Sequence, residues 1–276
     1  MRSEKYWEKA LDQTHLSINK NGLFPLNTTV VTGEYYNKND FIIRELDTSR
    51  FKKQNSYGPK HNPFNPWDKI LEIDKIGTNH QLILNKYPVQ KGHILLITNT
   101  WRPQDGWLDI NDWLAIQMVN NDTSGLWFFN SSPIAGASQP HRHIQLLRRA
   151  NGEITCPREK WFLDLEINND HDSKLKKNVV VSEFNFLEDS TKIYNLYLKL
   201  SKKIGLGNPS IDKKPRFPYN ILITNNWIAI IKRKYDHVYG FSVNGLGFAG
   251  YLLLTEKSNI NYLKNNGPEK LLENFV

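Results

Sequence analysis

The segment GASQPHRHIQLL, residues 136–147, holds the pattern that decides the fold. Two histidines and a glutamine recur at every second position near its end, which predicts a β-strand over residues 141–147. Because alternate side chains of a strand share one face, His141, His143 and Gln145 are expected to form one polar wall.

The loop before this strand is built from small residues. Gly136, Ala137 and Ser138 leave room for backbone N–H groups to approach a ligand closely, as they do around bound phosphates. The sequence therefore predicts an anion-binding loop directly followed by a polar strand.

The polar wall has three interpretations on the residues alone. The histidines could be structural, because a His-x-His pair on a strand is a weak signal. They could ligate zinc or iron, but Gln145 is a poor third ligand and no acid with suitable spacing lies nearby. Alternatively, a neutral imidazole could attack phosphorus, if an acceptor holds its second nitrogen protonated.

The composition excludes several classes of protein. The chain has 276 residues, 39% of them hydrophobic, and a single cysteine, Cys156, so neither a disulfide framework nor a cysteine-based zinc site is expected. No apolar run is long enough to cross a membrane, and no signal peptide is expected. The net charge of +8 comes from scattered lysines, which is more typical of a solvated surface or a phosphate-rich ligand than of nucleic-acid binding. We expect a cytoplasmic protein.

Strands and helices are predicted in both halves of the chain, which indicates an α+β fold. A boundary is predicted after residue 188, where a polar stretch interrupts the pattern. The predicted strands cover residues 28–33, 40–46, 80–87, 93–98, 125–130, 141–147 and a pair within 219–233, and the predicted helices cover residues 3–18, the segment after the N-cap Asp109, and 190–204.

At this point the sequence resembles a known family. The stretch FFNSSPIAGASQPHRHIQLL is similar to the signature of the diadenosine tetraphosphate phosphorylases, or ATP adenylyltransferases, of the histidine-triad superfamily. Similar segments follow in the family's order: NPFNPW, LILNKYPVQKGHILLIT, YNILITNNWIAII and SVNGLGFAGYLLL. The resemblance implies a histidine-triad-like fold of the galactose-1-phosphate uridylyltransferase type, an antiparallel sheet with packed helices. Residues 1–188 would hold the catalytic strand, and residues 189–276 would complete the nucleotide pocket.

The resemblance also implies roles for individual residues. His143 would be the nucleophile, Gln145 would stabilise the phosphate oxygens, and His141 would support them. Among two neighbouring lysines, Lys53 is preferred over Lys52 as a phosphate-binding residue. The other implied substrate contacts are Asn85, Lys86, Asn130, Gly136, Ala137, Ser138, Gln139, Asn244, Gly245, Leu246, Tyr251 and Thr255.

Three of these positions depart from the family pattern. Gly245 stands where relatives commonly have a larger residue, and Tyr251 and Thr255 are expected to alter the last contacts. These departures bear on substrate preference more than on the reaction.

The implied reaction is phosphorolysis of diadenosine tetraphosphate to ATP and ADP through an adenylyl-histidine intermediate. No tightly bound cofactor or protein metal site is expected, although a divalent cation such as Mg²⁺ could accompany the polyphosphate. The expected partners are the substrate, ATP, ADP and inorganic phosphate, with no nucleic acid or membrane, and the expected state is a monomer. The alternatives are a hexose-1-phosphate uridylyltransferase and a nucleotide-binding protein without turnover.

Overall fold

The computed structural model describes residues 2–31, 40–47, 62–150, 153–168, 172–186 and 189–276. The helices of these residues are α1 (Lys5–Asn19), α2 (Ile110–Asp122), α3 (Glu159–Asn168), α4 (Lys174–Lys177), α5 (Ser190–Lys203), α6 (Gly245–Phe248) and α7 (Ile260–Glu273). The strands are β1 (Thr28–Val30), β2 (Ile42–Leu46), β3 (Glu72–Ile76), β4 (His80–Leu84), β5 (Ile94–Thr98), β6 (Leu126–Asn130), β7 (His143–Leu147), β8 (Val179–Glu183), β9 (Tyr219–Ile223), β10 (Trp227–Lys232), β11 (His237–Val238), β12 (Phe241–Ser242) and β13 (Tyr251–Leu254).

An eight-stranded sheet forms the centre of the molecule, in the order β3-β4-β5-β7-β6-β9-β10-β8. Every neighbouring pair in it is antiparallel. A smaller sheet, β1-β2-β13, joins the two ends of the chain, because β13 pairs in parallel with β2. Helices cover the large sheet, which confirms the predicted α+β fold with an antiparallel sheet.

Local sequence signals position the elements around β7. Asp109 begins α2 as predicted: its carboxylate accepts from the backbone N–H of Asn111, and the carboxylate of Asp112 accepts from the N–H of Asp109 at 2.9 Å. The predicted turn at Asn225 and Asn226 joins β9 to β10. These elements bring β6 and β9 side by side, so the sheet is continuous from the first half of the chain to the second.

Around β6, β7, β9 and β10, the two faces of the large sheet pack into separate cores. Ile144 and Leu146 join the core beneath α2 and α5. Leu147 and Phe128 join the opposite core, which contains α6 and the small sheet. Because side chains alternate along β7, His143 and Gln145 lie on the same face as Leu147. The functional side chains therefore lie on the face of β7 that packs toward α6.

The structure differs from the sequence prediction at several places, including the start of β7 and the polar region before residue 188. β7 begins at His143, while His141 forms an isolated antiparallel bridge with Pro103. The polar region before residue 188 contains α3 and β8, and β8 is an edge strand of the main sheet, paired with β10.

Candidate active site

His143 is held in one tautomer at the start of β7. Its Nδ1 lies 2.8 Å from the backbone carbonyl oxygen of His141, so Nδ1–H donates and Nε2 carries the lone pair. Burial lowers the pKa of His143 to about 4, with help from the nearby charges of His141 and Arg142. The ring is thus neutral at pH 7 and nucleophilic at Nε2.

Both ring nitrogens of His141 contact oxygen atoms of the protein. Its Nε2 lies 2.9 Å from the carbonyl oxygen of Thr98, and its Nδ1 lies 3.0 Å from Oδ1 of Asn62. The ring of Phe64 packs against both histidines, with centroid distances of 5.8 Å to His141 and 5.4 Å to His143. Both nitrogens of His141 are engaged by the protein, which fits the predicted supporting role.

A side-chain amide takes the place of a strand pairing beside His143. Gln104 accepts from the backbone N–H of His143 at 2.8 Å and donates to its carbonyl oxygen at 3.1 Å. The side-chain nitrogen of Gln104, Nε2, also donates to the carbonyl oxygen of Asn130 at 2.7 Å. Gln104 therefore bridges the ends of β6 and β7 and fixes the backbone of His143.

The orientation of Gln145 follows from a chain of three side chains. Asn85 Oδ1 accepts from the N–H of Tyr87, so its Nδ2 faces His93 Nδ1, at 3.4 Å. His93 Nδ1 then accepts, and its Nε2–H donates to Oε1 of Gln145 at 3.0 Å. Burial lowers the pKa of His93 to about 4, which keeps it neutral. Gln145 is left with its N–H donors directed away from His93 and toward the site.

Asn130, at the end of β6, presents a buried donor. Its Oδ1 accepts from the N–H of Gly245 at 2.9 Å and from Nδ2 of Asn220 at 2.8 Å. Its own Nδ2 is buried and has no acceptor among the described residues, and the same holds for the hydroxyl of Ser132. A buried donor without a partner costs stability, so both groups are candidates to bind an anionic ligand.

The loop after Asn130 requires glycine at residue 136. Gly136 has φ 89°, and a Cβ atom there would lie 2.5 Å from Cβ of Asn244. The N–H groups of Gly136 and Ala137 close the turn on the carbonyls of Pro133 and Ser132. Among the predicted loop donors, those two are therefore used within the turn. The backbone N–H groups of Ser138 and Gln139 have no partner within the described part of the chain.

A cavity of about 570 Å³ adjoins the catalytic strand. Five predicted contact residues line it, whereas His143 and Gln145 do not. Its lining residues include Leu147, which lies on the same face of β7 as Gln145, and the arginines Arg44 and Arg149. The guanidinium of Arg149 stacks on Tyr251 at 4.7 Å, and its Nε is buried without an acceptor in the described ranges. The predicted residues that line the cavity are Gly136, Asn244, Leu246, Tyr251 and Thr255.

The two predicted lysines have different outcomes. Lys53 lies outside the described residues. Lys86 extends over the ring of Phe24, with Nζ 5.8 Å from its centroid. Gly245, by contrast, lies at the site: a Cβ atom there would meet Oδ1 of Asn130 at 3.1 Å, so glycine permits the close approach of α6 to β6.

Sequence reasoning missed His93, Gln104 and Asn220. His93 and His80 each begin a predicted strand, and no local pattern distinguishes them. His80 is structural, because its Nε2 lies 3.0 Å from the buried carboxylate of Asp112, on the opposite face of the sheet. The signal that separates the two histidines is register: His93 comes directly before β5, across from the end of β7.

The described residues hold neither a metal-binding cluster nor a membrane-spanning helix. They contain no group of three or more His, Cys, Asp or Glu side chains that could hold a metal ion. No helix formed by them is long and apolar enough to span a membrane.

Comparisons with known proteins agree with this geometry. The N-terminal domain of Ap4A phosphorylases matches residues 1–161, and the C-terminal domain of ATP adenylyltransferases matches residues 173–276. A histidine open at one nitrogen, on such a fold, places the chain in the class of nucleotidyltransferases. The chain belongs to the Ap4A phosphorylase and ATP adenylyltransferase family.

Individual relatives are distant but cover most of the chain. Diadenosine 5',5'''-P1,P4-tetraphosphate phosphorylase 2 of Saccharomyces cerevisiae is 23% identical over 239 residues, which is 76% of this chain and 74% of that protein. Protein APA1 of the same yeast is 26% identical over 231 residues, which is 74% and 71% of the two chains.

Solved structures show the same fold. The crystal structure of yeast Ap4A phosphorylase Apa2 in complex with AMP has a TM-score of 0.73 at 20% identity, covering 99% of this chain and 98% of that chain. The Apa2 complex with Ap4A has a TM-score of 0.72 at 19% identity, with the same coverage. The predicted fold is thus confirmed.

Proposed function

We propose that the protein cleaves diadenosine tetraphosphate with inorganic phosphate to give ATP and ADP, through an adenylyl group carried on Nε2 of His143. The observation that carries this proposal is the tautomer of His143, which donates from Nδ1 to the His141 carbonyl and leaves Nε2 free. The family and the activity named for the yeast relative support the same reaction.

In the first half reaction, Nε2 of His143 attacks the α-phosphorus of one adenosine. A phosphorus–nitrogen bond forms, and the bond from that phosphorus to its bridging oxygen breaks. ATP leaves as an anion and needs no general acid, which suits a site whose neighbouring amide, Gln145, cannot protonate it. The N–H groups of Gln145 and Asn130 donate to the phosphate oxygens as negative charge develops there.

In the second half reaction, an oxygen of inorganic phosphate attacks the adenylyl phosphorus. The phosphorus–nitrogen bond breaks, ADP forms, and His143 returns to its neutral state with Nδ1 still bonded to the His141 carbonyl. The same donors stabilise charge in both steps, because both transition states form at one phosphorus atom.

The cavity beside β7 takes the part of the substrate beyond the attacked phosphorus. Arg44 and Arg149 supply positive charge for the remaining phosphates, and apolar residues such as Leu26 supply surface for a base. Asn85 is hydrogen-bonded to Gln145 through His93, and from this position it can contact the nucleotide that is transferred.

Product analysis tests the reaction. Purified protein is mixed with diadenosine tetraphosphate and phosphate, and the nucleotides are separated by chromatography. Equal amounts of ATP and ADP are expected. AMP in place of ADP would show hydrolysis, and unchanged substrate that the protein retains would indicate a binding protein. Transfer from a nucleoside diphosphate hexose, with no cleavage of diadenosine tetraphosphate, would favour the uridylyltransferase.

Three further expectations belong to this proposal. A divalent cation such as Mg²⁺ accompanies the polyphosphate as part of the substrate, so added chelator should raise KM. The protein acts as a monomer, which sedimentation would test. It acts in the cytoplasm, which the single Cys156 favours because reducing compartments disfavour disulfides.

A further inference from the structure

Arg233 is a buried cation that follows β10, close to α6. It is 2% exposed. One guanidinium nitrogen donates to Oδ1 of Asn220 at 2.7 Å and the other donates to the carbonyl oxygen of Val243 at 2.8 Å. No carboxylate of the described ranges forms an ion pair with it, and Asp236, the nearest acid that influences it, is paired with His237 at the surface. A buried charge without a counter-ion is costly, so its placement calls for an explanation.

A chain of hydrogen bonds leads from Arg233 to the active site. Because a guanidinium only donates, the oxygen of Asn220 must face Arg233 and its nitrogen must face away. That nitrogen donates to Oδ1 of Asn130 at 2.8 Å. The oxygen of Asn130 is thereby fixed, and its nitrogen is left buried with no protein acceptor in the described part of the chain. The cation orients the amide of Asn220, and Asn220 together with the N–H of Gly245, which donates to the same oxygen at 2.9 Å, orients the amide of Asn130.

The chain ends beside the nucleophile. Gln104 bonds to the carbonyl oxygens of both Asn130 and His143, so the free donor of Asn130 lies on the strand next to His143. Each amide in the chain has its positive end toward the site, and hydrogen bonds in series polarise one another. The buried charge therefore strengthens a donor that it does not touch. Burial lowers the pKa of Arg233 to about 9, opposed by Asp236, which leaves the guanidinium charged at pH 7.

We propose that Arg233 is a positioning residue for nucleotidyl transfer: acting through Asn220, it orients and polarises the Asn130 amide so that its free N–H binds an oxygen of the phosphorus that His143 attacks. This rests on the proposed function, since it assumes that phosphorus is attacked there. The substrate anion is then the counter-ion that the folded chain does not supply to Arg233.

The first test compares two buried arginines. Arg158 is 1% exposed and also has guanidinium nitrogens without hydrogen-bond acceptors, but no hydrogen bond connects it to Asn130. The rate of the first ATP burst and the KM for diadenosine tetraphosphate are measured for Arg233→Met and Arg158→Met. Arg233→Met should slow the burst about 10- to 100-fold. This effect should not exceed the rate loss caused by removing one oxyanion donor completely. The KM of Arg233→Met should change less than about threefold, while Arg158→Met should keep the wild-type burst rate.

Arg233→Lys tests whether the charge itself acts. It keeps a cation but loses the planar fork, so a burst rate between wild type and Arg233→Met is expected. A rate equal to that of Arg233→Met would contradict a role for the charge in polarising Asn130.

A double-mutant cycle tests the connection to Asn130. Asn130→Ala should slow the burst strongly in the wild-type background and much less in the Arg233→Met background. If Arg233→Met does not fold by circular dichroism, Asn220→Ser replaces it, because this change keeps the cation and breaks the chain. Independent, multiplicative effects would overturn the proposal, as would wild-type burst rates in the Arg233 and Asn220 variants. If the wild-type protein releases no stoichiometric ATP from diadenosine tetraphosphate in the absence of phosphate, the proposed function would instead be overturned.

Discussion

At the scale of single residues, the site depends on which atom of each polar side chain faces the substrate. His143 presents Nε2 because Nδ1 is bound to a carbonyl, and Gln145 presents its amide nitrogen because its oxygen is bound to His93. Neither orientation is intrinsic to the side chain. The partner of His143 is a backbone carbonyl, whereas the partner of Gln145 is a side chain that one substitution can remove.

Replacing His93 should impair catalysis by releasing Gln145. In His93→Leu the oxygen of Gln145 loses its donor and can turn toward the phosphate, where it repels the developing charge. In steady-state assays we expect kcat to fall about 10- to 100-fold. The upper end of this range is comparable to the rate loss on removing one oxyanion donor.

His80→Leu provides the matched control. His80 is equally buried, but it pairs with Asp112 on the other face of the sheet. This variant should lose stability in urea and keep kcat. Equal losses of kcat in the two variants would show that the effect of His93 is only structural.

The pH dependence of kcat/KM should report the lowered pKa of His143. In the proposed reaction the neutral imidazole is the nucleophile, so activity should be present above its pKa and be lost as the pH falls through about 4. Between pH 5.5 and 8 this group should impose no inflection. Rates measured within seconds of a pH jump avoid acid unfolding, and an inflection near 6.5, the ordinary value for histidine, would contradict the buried, neutral state.

The sequence alone predicts the residues of this site better than their partners. The period of two on β7 was sufficient to group His143 and Gln145 on one face. Gln104 and His93 act across 39 and 52 residues of chain separation, and no local pattern marks a contact of that kind.

At the scale of elements, the site is a close contact between the loop before β7 and the start of α6. Gly136 makes this contact possible, because a Cβ atom there would lie 2.5 Å from Cβ of Asn244, and Gly245 lets α6 approach β6. The tight turn at Gly136 follows from the small residues Gly136, Ala137 and Ser138. Its partner, Asn244, is 108 positions away and could be assigned only by family resemblance.

Gly136→Ala should separate the loop from α6. It forces a side chain into a left-handed conformation and against Asn244, so we expect a loss of about 1 kcal/mol for the backbone and a further 1–3 kcal/mol for the clash. A displaced loop should also lower kcat/KM about 100-fold. Urea unfolding and steady-state kinetics measure the two effects.

Gly205→Ala is the control for backbone strain. Gly205 has φ 83°, but a Cβ atom there would meet nothing within 4 Å. It should lose only the backbone part of the stability and keep full activity. If it lost as much activity as Gly136→Ala, close approach to Asn244 would not be the cause.

Sequence patterns failed to predict two strands, β3 and β8, in which apolar and polar residues do not alternate. β3 carries Glu72, Asp74 and Lys75, and only Ile76 is buried along it. β8 is apolar at Val179–Val181 but follows a lysine-rich stretch, which concealed it. Both are edge strands of the large sheet, where one side lacks a partner and solvent tolerates charge.

At the scale of the whole molecule, one sheet unites both parts of the chain. The boundary predicted after residue 188 leaves β8 in the first part, although β8 pairs with β10 of the second, and β6 pairs with β9 across the same division. The predicted pocket between the two parts thus rests on a shared sheet. Whether the parts behave as domains stays a prediction.

Unfolding should therefore be a single transition. Tryptophan fluorescence and far-ultraviolet circular dichroism are expected to give the same urea midpoint, because disrupting β9 and β10 removes the neighbours of β6 and β8 together. Separately produced fragments of residues 1–188 and 189–276 should not give native spectra until they are mixed. Two resolved transitions, or a folded isolated fragment, would show that the parts are independent.

The central claim is that His143 carries the nucleotide between the two half reactions. It is tested most directly by mixing the protein with diadenosine tetraphosphate without phosphate, quenching at alkaline pH, and mapping the digest by mass spectrometry. We expect an adenylyl group on His143, lost when phosphate is added before the quench and absent in His143→Gly. Turnover without any adenylyl group on residue 143, or full activity in His143→Gly, would contradict the account.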